Sequence, residues 1–253
     1  MKNALLVCLI LLFAATARAE GPIRFVAEAD FAPYSMQGEA GPTGIDVEVL
    51  TEAARRAGIE LEIQIQPLET LLKMVLSGTC DGAAALFRTP DREKFALYME
   101  GVPVHYSDYV LFTKVGAKFR FDSYDDLSGK VIGYVAGLDL GPDFAAARAK
   151  GDMLVKEYPD LRGVVAGLLG GELDAFAGDI DVTYNRLKTM GLSNSIVYLP
   201  RKILTGKPAY AVFSRASALP DKDFVIQKLE KALDRMVKDG TYNTIARRYL
   251  LRF

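Results

Sequence analysis

Apolar residues recur along this chain with two different spacings, one typical of strands and one typical of helices. The segment 59–65 carries isoleucine or leucine at every second position, which predicts a strand. The segment 46–57 is amphipathic with helical spacing and is followed by Gly58, a residue common just past a helix end. Strands are also predicted at 23–29, 109–113, 129–135, 195–199 and 209–213, and helices from Pro67 and at 139–150, 221–238 and 241–251. This alternation predicts an α/β fold with a largely parallel sheet.

One unit, a helix followed by glycine, aspartate and a strand, occurs twice at a fixed offset of 93 residues. Its first copy consists of Leu68, Leu71, Leu72, Val75, Leu76, Gly78 and Asp81, and its second of Leu161, Val164, Val165, Leu168, Leu169, Gly171 and Asp174. Any αβ unit can show such a stripe and glycine, because the stripe packs on a core and the glycine ends the helix. The added match of the aspartates favours two similar lobes.

The N-terminus has the pattern of a cleavable secretory signal. Lys2 precedes an apolar run at 4–15, which ends near Ala17 and Ala19. That run is shorter than the about 20 residues of a membrane span. We therefore expect a signal peptide at 1–19 and a periplasmic mature protein.

Composition narrows the classes of function. The chain has 31 basic and 32 acidic residues and a net charge of −1, which argues against nucleic acid as a partner. Cys80 would be the single cysteine left after cleavage, and His105 is the single histidine of the chain. Neither a disulfide within the chain nor a cysteine or histidine metal site is therefore expected, and no cofactor is predicted.

Two charged residues follow the strands of the repeated unit, where ligands bind in open α/β sheets. Arg92 lies in the first turn of a helix that Thr89 and Pro90 would begin. Its planar guanidinium suits a carboxylate, although a solvated or salt-bridged arginine fits the local sequence equally. Asp179 follows a short apolar run and could accept an ammonium group, or it could instead cap the segment after it.

Several short motifs in order make the chain resemble the family-3 extracellular solute-binding proteins, the polar amino acid receptors of ABC importers. The motifs are Ala32-Pro33-Tyr34, Gly44-Ile45-Asp46-Val47-Glu48, Leu76-Ser77-Gly78-Thr79-Cys80-Asp81, Thr89-Pro90-Asp91-Arg92, Asp126 to Gly133, Gly171-Glu172-Leu173-Asp174 and Asp239-Gly240-Thr241-Tyr242. The resemblance implies a type II periplasmic binding protein-like fold, with two lobes joined by two hinge crossings. The first lobe would be 21–107 plus 208–253 and the second 108–207. A monomer, a small-molecule ligand in the cleft and a membrane importer permease as partner are also implied.

The resemblance also implies roles for individual residues. Arg92 would hold the ligand carboxylate and Asp179 its ammonium group. Phe31 would pack on the ligand side chain, unless it is an ordinary core residue. Glu28 falls where some family members place a polar ligand contact.

The chain departs from the family pattern at several site positions. Ala85 and Phe87 stand where a hydroxyl or small polar contact to the carboxylate is usual, Leu138 replaces a usual Ser or Thr, and Leu68 stands where an aromatic is common. These changes predict a more apolar or aromatic acid than a standard α-amino acid. Arg88 is either a second anion contact or a solvated residue.

Two other functions are consistent with the sequence. The family is similar to periplasmic cyclohexadienyl or arogenate dehydratases, which need a general acid, and Glu28 and Asp181 are the candidates. Those enzymes carry a glutamate where this chain has Val182, so we expect a binding protein and no catalytic residue. A receptor that reports to a membrane sensor would use the same closure as an import receptor.

Overall fold

The computed structural model describes residues 21–250, and the predicted signal peptide at 1–19 lies outside that part. The strands are β1 Ile23–Glu28, β2 Met36–Gly38, β3 Gly41–Thr43, β4 Leu61–Gln66, β5 Gly82–Phe87, β6 Ala96–Tyr98, β7 His105–Lys114, β8 Val131–Val135, β9 Leu154–Tyr158, β10 Ala175–Asp179 and β11 Ile196–Ser214. The helices are α1 Ile45–Ala57, α2 Leu68–Ser77, α3 Pro90–Glu93, α4 Gly141–Lys150, α5 Leu161–Gly170, α6 Ile180–Thr189, α7 Lys222–Lys238 and α8 Thr241–Leu250. None of these helices is long and apolar enough to cross a membrane.

Nine strands form one sheet, in the order β4-β1-β5-β11-β7-β10-β8-β9, with β6 also paired to β11. β1 is parallel to β4 and β5 at one end, and β8 is parallel to β9 and β10 at the other. Between the two parallel sets lie the long antiparallel strands β7 and β11. The predicted α/β class is confirmed.

The single strand β11 corrects one expectation, because 195–199 and 209–213 had the pattern of two separate strands. They are the two ends of one strand of 19 residues. Pro200 and Gly206 break the apolar pattern between them, and the register against β7 shifts between Tyr198 and Lys207. Proline cannot donate a ladder hydrogen bond, so an interrupted ladder is expected here. The two crossings between the halves are thus paired strands.

The buried apolar residues separate into four clusters that follow the two halves of the chain. Two clusters draw their buried members from 23–104 and 209–245, and the other two from 109–199. A fold with separate cores can bend between them at little cost in packing. This separation supports the division that we propose, with a first lobe at 21–107 plus 208–253 and a second lobe at 108–207.

The two repeated units have the same local structure. Gly78 and Gly171 end α2 and α5 in the left-handed conformation, with φ of 74° and 82°. Asp81 accepts a hydrogen bond from the backbone N–H of Arg24 at 2.9 Å, and Asp174 accepts one from Val131 at 2.8 Å. Each aspartate therefore ties its unit to the parallel strand beside it, which explains why the sequence match extends beyond the apolar stripe.

Candidate functional site

A cavity of about 940 Å³ lies between the two lobes. Its wall includes all seven residues that the sequence singled out: Glu28, Phe31, Leu68, Phe87 and Arg92 from the first lobe, and Leu138 and Asp179 from the second. Strand ends bring most of them together, because β1, β5, β8 and β10 all end toward this space. The structure thus gathers the predicted residues around one space, and their contact with a ligand stays a prediction.

Arg92 is presented by the short helix α3. Thr89 begins this helix, and its side chain accepts a hydrogen bond from the Arg92 N–H at 3.3 Å, with Pro90 at the first helical position as expected. Nη1 of Arg92 donates to the carbonyl oxygen of Phe87 at 3.0 Å. Because Arg92 forms no ion pair with any of residues 21–250, the internal salt bridge weighed above is not present there. The guanidinium keeps donors for an anion.

Asp179 both caps a helix and faces the cavity. Its Oδ1 accepts a hydrogen bond from the Val182 N–H at 2.8 Å, which caps α6. Its Oδ2 is buried and forms no hydrogen bond of normal geometry within residues 21–250, although the nearby Ser107 hydroxyl, also without such a bond, acts to lower the pKa of this carboxyl. Burial raises the pKa of this carboxyl to about 6. The free oxygen is a ready acceptor for a cationic group.

Glu28 ends strand β1 as a third charged group of the wall. Burial raises its pKa to about 7, although the positive charge of Arg92 acts in the opposite direction. A carboxyl in this state is easily ionised by a nearby cation.

Phe31 belongs to an aromatic group at the edge of the first-lobe core. Its ring centroid lies 5.3 Å from that of Tyr34, 5.7 Å from that of His105 and 6.2 Å from that of Phe87. The residue therefore packs on the core, and it also contributes to the cavity wall. Leu68 and Leu138 combine core packing and cavity lining in the same way.

The sequence did not reveal a buried pair beneath this aromatic group. Nδ1 of His105 lies 2.7 Å from Oδ1 of Asp46, with side chains only 3% and 1% exposed. Oδ2 of Asp46 and Nε2 of His105 have no partner within residues 21–250, and both residues line the cavity. Burial raises the pKa of Asp46, and the adjacent His105 opposes that effect. Asp46 resembled an ordinary first-turn acid, and a lone histidine gave no signal.

A second missed pair joins Lys207 on β11 to Asp139 in the loop after β8. Nζ of Lys207 donates to Oδ2 of Asp139 at 2.8 Å and to its carbonyl oxygen at 2.9 Å. The ammonium also lies 5.0 Å from the ring centroid of Phe87 and 5.8 Å from that of Tyr109, within the range of cation–π attraction. All four residues line the cavity.

Two polar contacts connect the lobes beside the cavity. The hydroxyl of Tyr34 donates to Oδ2 of Asp181 at 2.8 Å. Nη2 of Arg186 donates to Oδ1 of Asp30 at 2.8 Å. Both second-lobe partners belong to α6, the helix that Asp179 caps.

Arg88, by contrast, lies outside the cavity wall. It pairs with Glu100 at 2.7 Å and Glu93 at 3.5 Å, and its guanidinium carbon is 4.8 Å from the Tyr98 ring centroid. The structure therefore favours the solvated role for Arg88 over an anion contact in the cavity.

Known proteins share this fold over most of the chain. A putative ABC transporter arginine-binding protein 2 of Escherichia coli (strain K12) is 26% identical over 254 residues, which covers 97% of both chains. An ancestral arginine-binding protein bound to arginine superposes with a TM-score of 0.72 at 23% identity, covering 91% of this chain and 99% of the other. A histidine kinase sensor domain with similarity to periplasmic binding proteins gives a TM-score of 0.73 at 17% identity, covering 91% and 96%.

At these identities the two solved structures establish the fold alone, and the two-lobed architecture is common to both comparisons. The family-model match is what defines the relationship, and it extends across nearly all of the described residues. Since residues 23–252 match the model of bacterial extracellular solute-binding proteins, family 3, the chain belongs to that family.

Proposed function

We propose that this protein captures an α-amino acid between its two lobes. The observation that carries the proposal is that Arg92 and the free Oδ2 of Asp179 face one cavity from opposite lobes. The guanidinium fork would hold the α-carboxylate of the ligand, and Oδ2 would accept from its ammonium group. Charge-assisted hydrogen bonds contribute about 1.5–3 kcal/mol each. With apolar burial added, the two contacts are compatible with micromolar affinity, about −8 kcal/mol.

The side chain of the ligand would lie between Phe31, Phe87, Leu68 and Leu138, where Glu28 is a further polar group of the wall. The apolar surfaces support the expectation of an apolar or aromatic ligand. Glu28 adds a carboxyl that a hydrogen-bond donor or a cation on the ligand would satisfy. A ligand that combines an apolar stem with such a donor satisfies both features of the wall.

Binding to both lobes stabilises the closed arrangement, so the ligand shifts a hinge equilibrium. In the proposed role the protein is a periplasmic monomer, and a membrane importer permease of the ABC type recognises its closed form. Family membership and the arginine-binding relative support this role. The fold shared with a sensor domain supports a ligand-sensing receptor as the second candidate.

The dehydratase alternative lacks support at position 182, where those enzymes carry a glutamate. Val182 occupies it and packs against the first-lobe core. Of the two candidate acids, Asp181 is engaged by Tyr34 and lies outside the cavity wall. Glu28 lines the cavity and has a raised pKa, so an assay of arogenate and prephenate turnover decides whether it acts as an acid.

The proposal is tested by thermal unfolding of the mature protein with each of the twenty standard L-α-amino acids, followed by calorimetric titration of the strongest stabiliser. Ligand that binds only the folded protein raises its melting temperature. We expect at least one amino acid to do so. Arg92→Ala should abolish that effect, whereas Arg88→Ala, the matched control outside the cavity, should retain it. An Arg92→Ala variant with unchanged affinity would remove this residue from the site, and turnover of arogenate or prephenate would replace the binding function with an enzyme.

A further inference from the structure

Two of the cationic residues that line the cavity, Arg92 and Lys207, lie close to Phe87. Arg92 donates to the carbonyl oxygen of Phe87 at 3.0 Å, and Nζ of Lys207 lies 5.0 Å from the ring centroid of the same residue. Two positive groups thus approach one residue of the cavity wall, one from the first lobe and one from the strand that connects the lobes.

Asp139 lies close to both cations. Its Oδ2 accepts from Lys207 at 2.8 Å, and its pKa is lowered first by this hydrogen bond and further by the charge of Arg92. The side chain of Lys207 is 15% exposed, whereas that of Asp139 is 56% exposed. The carboxylate therefore reaches in from solvent to a largely buried ammonium group.

The neighbouring wall offers few donors to an anion. Ala85, Phe87 and Leu138 contribute only carbon through their side chains, and part of the donor capacity of Arg92 is used by the Phe87 carbonyl. An ammonium group has three donors, and Asp139 engages the Lys207 ammonium through two acceptors. Lys207 can therefore make a further hydrogen bond to a negative group in the cavity.

We propose that Lys207 is a second cation of the carboxylate subsite, acting beside Arg92, and that Asp139 is the internal counterion that holds its ammonium over Phe87 and Tyr109. This inference relies on the proposed function, because it assigns a further contact to the same ligand carboxylate. Lys207 thereby supplies the polar contact that the side chains at positions 85, 87 and 138 lack.

A binding role and a structural role for the pair predict different results. If the pair only fixes the loop after β8, the loss of either partner affects ligand binding alike. If Lys207 binds the carboxylate, Lys207→Met weakens binding. Asp139→Asn instead removes a competing negative charge, while the backbone carbonyl oxygen of residue 139, to which Lys207 also donates at 2.9 Å, still holds the ammonium, so affinity stays equal or rises. Asparagine also keeps an oxygen for the Gly141 N–H, which now donates to Asp139 at 3.0 Å.

Lys202 offers a matched control on the same strand. Its Nζ lies 2.6 Å from Oδ2 of Asp108, and it is not part of the cavity wall. Lys202→Met removes an equivalent lysine–aspartate pair without touching the proposed subsite.

The experiment is calorimetric titration of wild type, Lys207→Met, Lys207→Arg, Asp139→Asn and Lys202→Met with the tightest-binding of the twenty standard L-α-amino acids. A hydrogen bond between charged groups corresponds to a loss of about tenfold or more in affinity for Lys207→Met. We expect substantial rescue in Lys207→Arg, no loss in Asp139→Asn and a change of less than about twofold in Lys202→Met. Melting temperatures of the unliganded variants confirm that each is folded.

Equal losses in Lys207→Met and Asp139→Asn, or a Lys207→Met affinity that matches Lys202→Met, would overturn the assignment of Lys207 and leave the proposed function intact. If wild type binds none of the twenty amino acids, the proposed function fails, and this inference fails with it before any variant is compared.

Discussion

The hydroxyl of Tyr34 donates a hydrogen bond to Oδ2 of Asp181 at 2.8 Å and so joins a first-lobe loop to helix α6 of the second lobe. Tyr34 is buried, and its ring is stacked on His105 with a centroid distance of 3.9 Å. The contact joins the two lobes, so we expect it to stabilise the closed arrangement. Its position beside the cavity makes it a test of how closure contributes to affinity.

Tyr34→Phe should weaken ligand binding by about two- to tenfold, because a typical hydrogen bond contributes about 0.5–1.5 kcal/mol. The measurement is calorimetric titration with the amino acid that stabilises the wild type. Tyr242→Phe is the control, since its hydroxyl donates to the Val104 carbonyl at 2.9 Å within one lobe. That variant should lower stability and leave affinity unchanged, and equal affinities for Tyr34→Phe and wild type would contradict a role in closure.

Glu28 should make the unliganded protein less stable as pH rises. Its folded pKa is about 7, above the ordinary 4.5, so the folded state holds a proton that the unfolded chain releases. The folding free energy is therefore most favourable below pH 4.5 with respect to this group, and the loss between pH 4.5 and 7 is on the order of 3 kcal/mol.

Glu28→Gln should flatten that dependence. Denaturant unfolding of unliganded wild type and variant at pH 5, 6, 7 and 8 measures it, and the variant should gain stability relative to wild type at pH 8. A stability difference that does not change with pH would show that Glu28 titrates normally.

Ligand affinity should fall as the pH is lowered through about 6. The folded pKa of Asp179 is about 6, and protonation of its carboxyl removes the negative charge that would hold the ligand ammonium. The decline approaches tenfold per pH unit below the pKa, as for any proton that competes with a ligand at one site. Titrations at pH 7.5, 6 and 5 should therefore show progressively weaker binding.

Asp179→Asn separates this effect from that of other titrating groups. Asparagine is also a good helix N-cap, so α6 should persist while the charge is lost. We expect weak binding whose remaining pH dependence comes from the other carboxyls of the cavity, such as Glu28. A variant that retains the full decline near pH 6 would assign the titration to a different group.

Gly82→Ala should destabilise the first lobe. A Cβ at this position would lie 2.2 Å from the carbonyl oxygen of Val212 and 2.6 Å from the Phe25 ring, and the backbone of the neighbouring strand cannot move aside cheaply. Overpacking of this kind costs about 1–3 kcal/mol. Gly170→Ala is the control in α5, because nothing lies within 4 Å of its Cβ position, and it should be neutral or stabilising by up to about 1 kcal/mol. Equal melting temperatures for the two variants would contradict the expected clash.

Local sequence signals predicted much of the fold, and they singled out Arg92 and Asp179, which both line the cavity. The Thr89–Pro90 helix start and the glycine after each repeated helix depend on neighbours a few positions away, and the structure has both. The position of Arg92 and Asp179 after their strands followed from the general placement of ligands in α/β sheets. Such features need no knowledge of distant contacts.

The missed features depend on residues far apart in sequence. Asp46 and His105 are 59 positions apart, and Asp139 and Lys207 are 68 apart. Nothing in the pattern around either member indicates its partner, because packing alone brings them together. The continuous strand β11 was missed for a related reason, since its pairing with β7 persists through Pro200 and Gly206, where the local preference is for a break.

The two carboxylate oxygens of Asp179 have different roles: Oδ1 caps helix α6, and Oδ2 faces the cavity. A substitution there would be selected on two grounds at once, since it must still begin α6 and must also suit whatever occupies the cavity. The choice narrows to the few short polar side chains that serve as N-caps. A new ligand preference would therefore evolve by substitution of other residues of the cavity wall, at positions such as 28, 68, 87 and 138. Position 179 would change little, because its side chain must also cap α6.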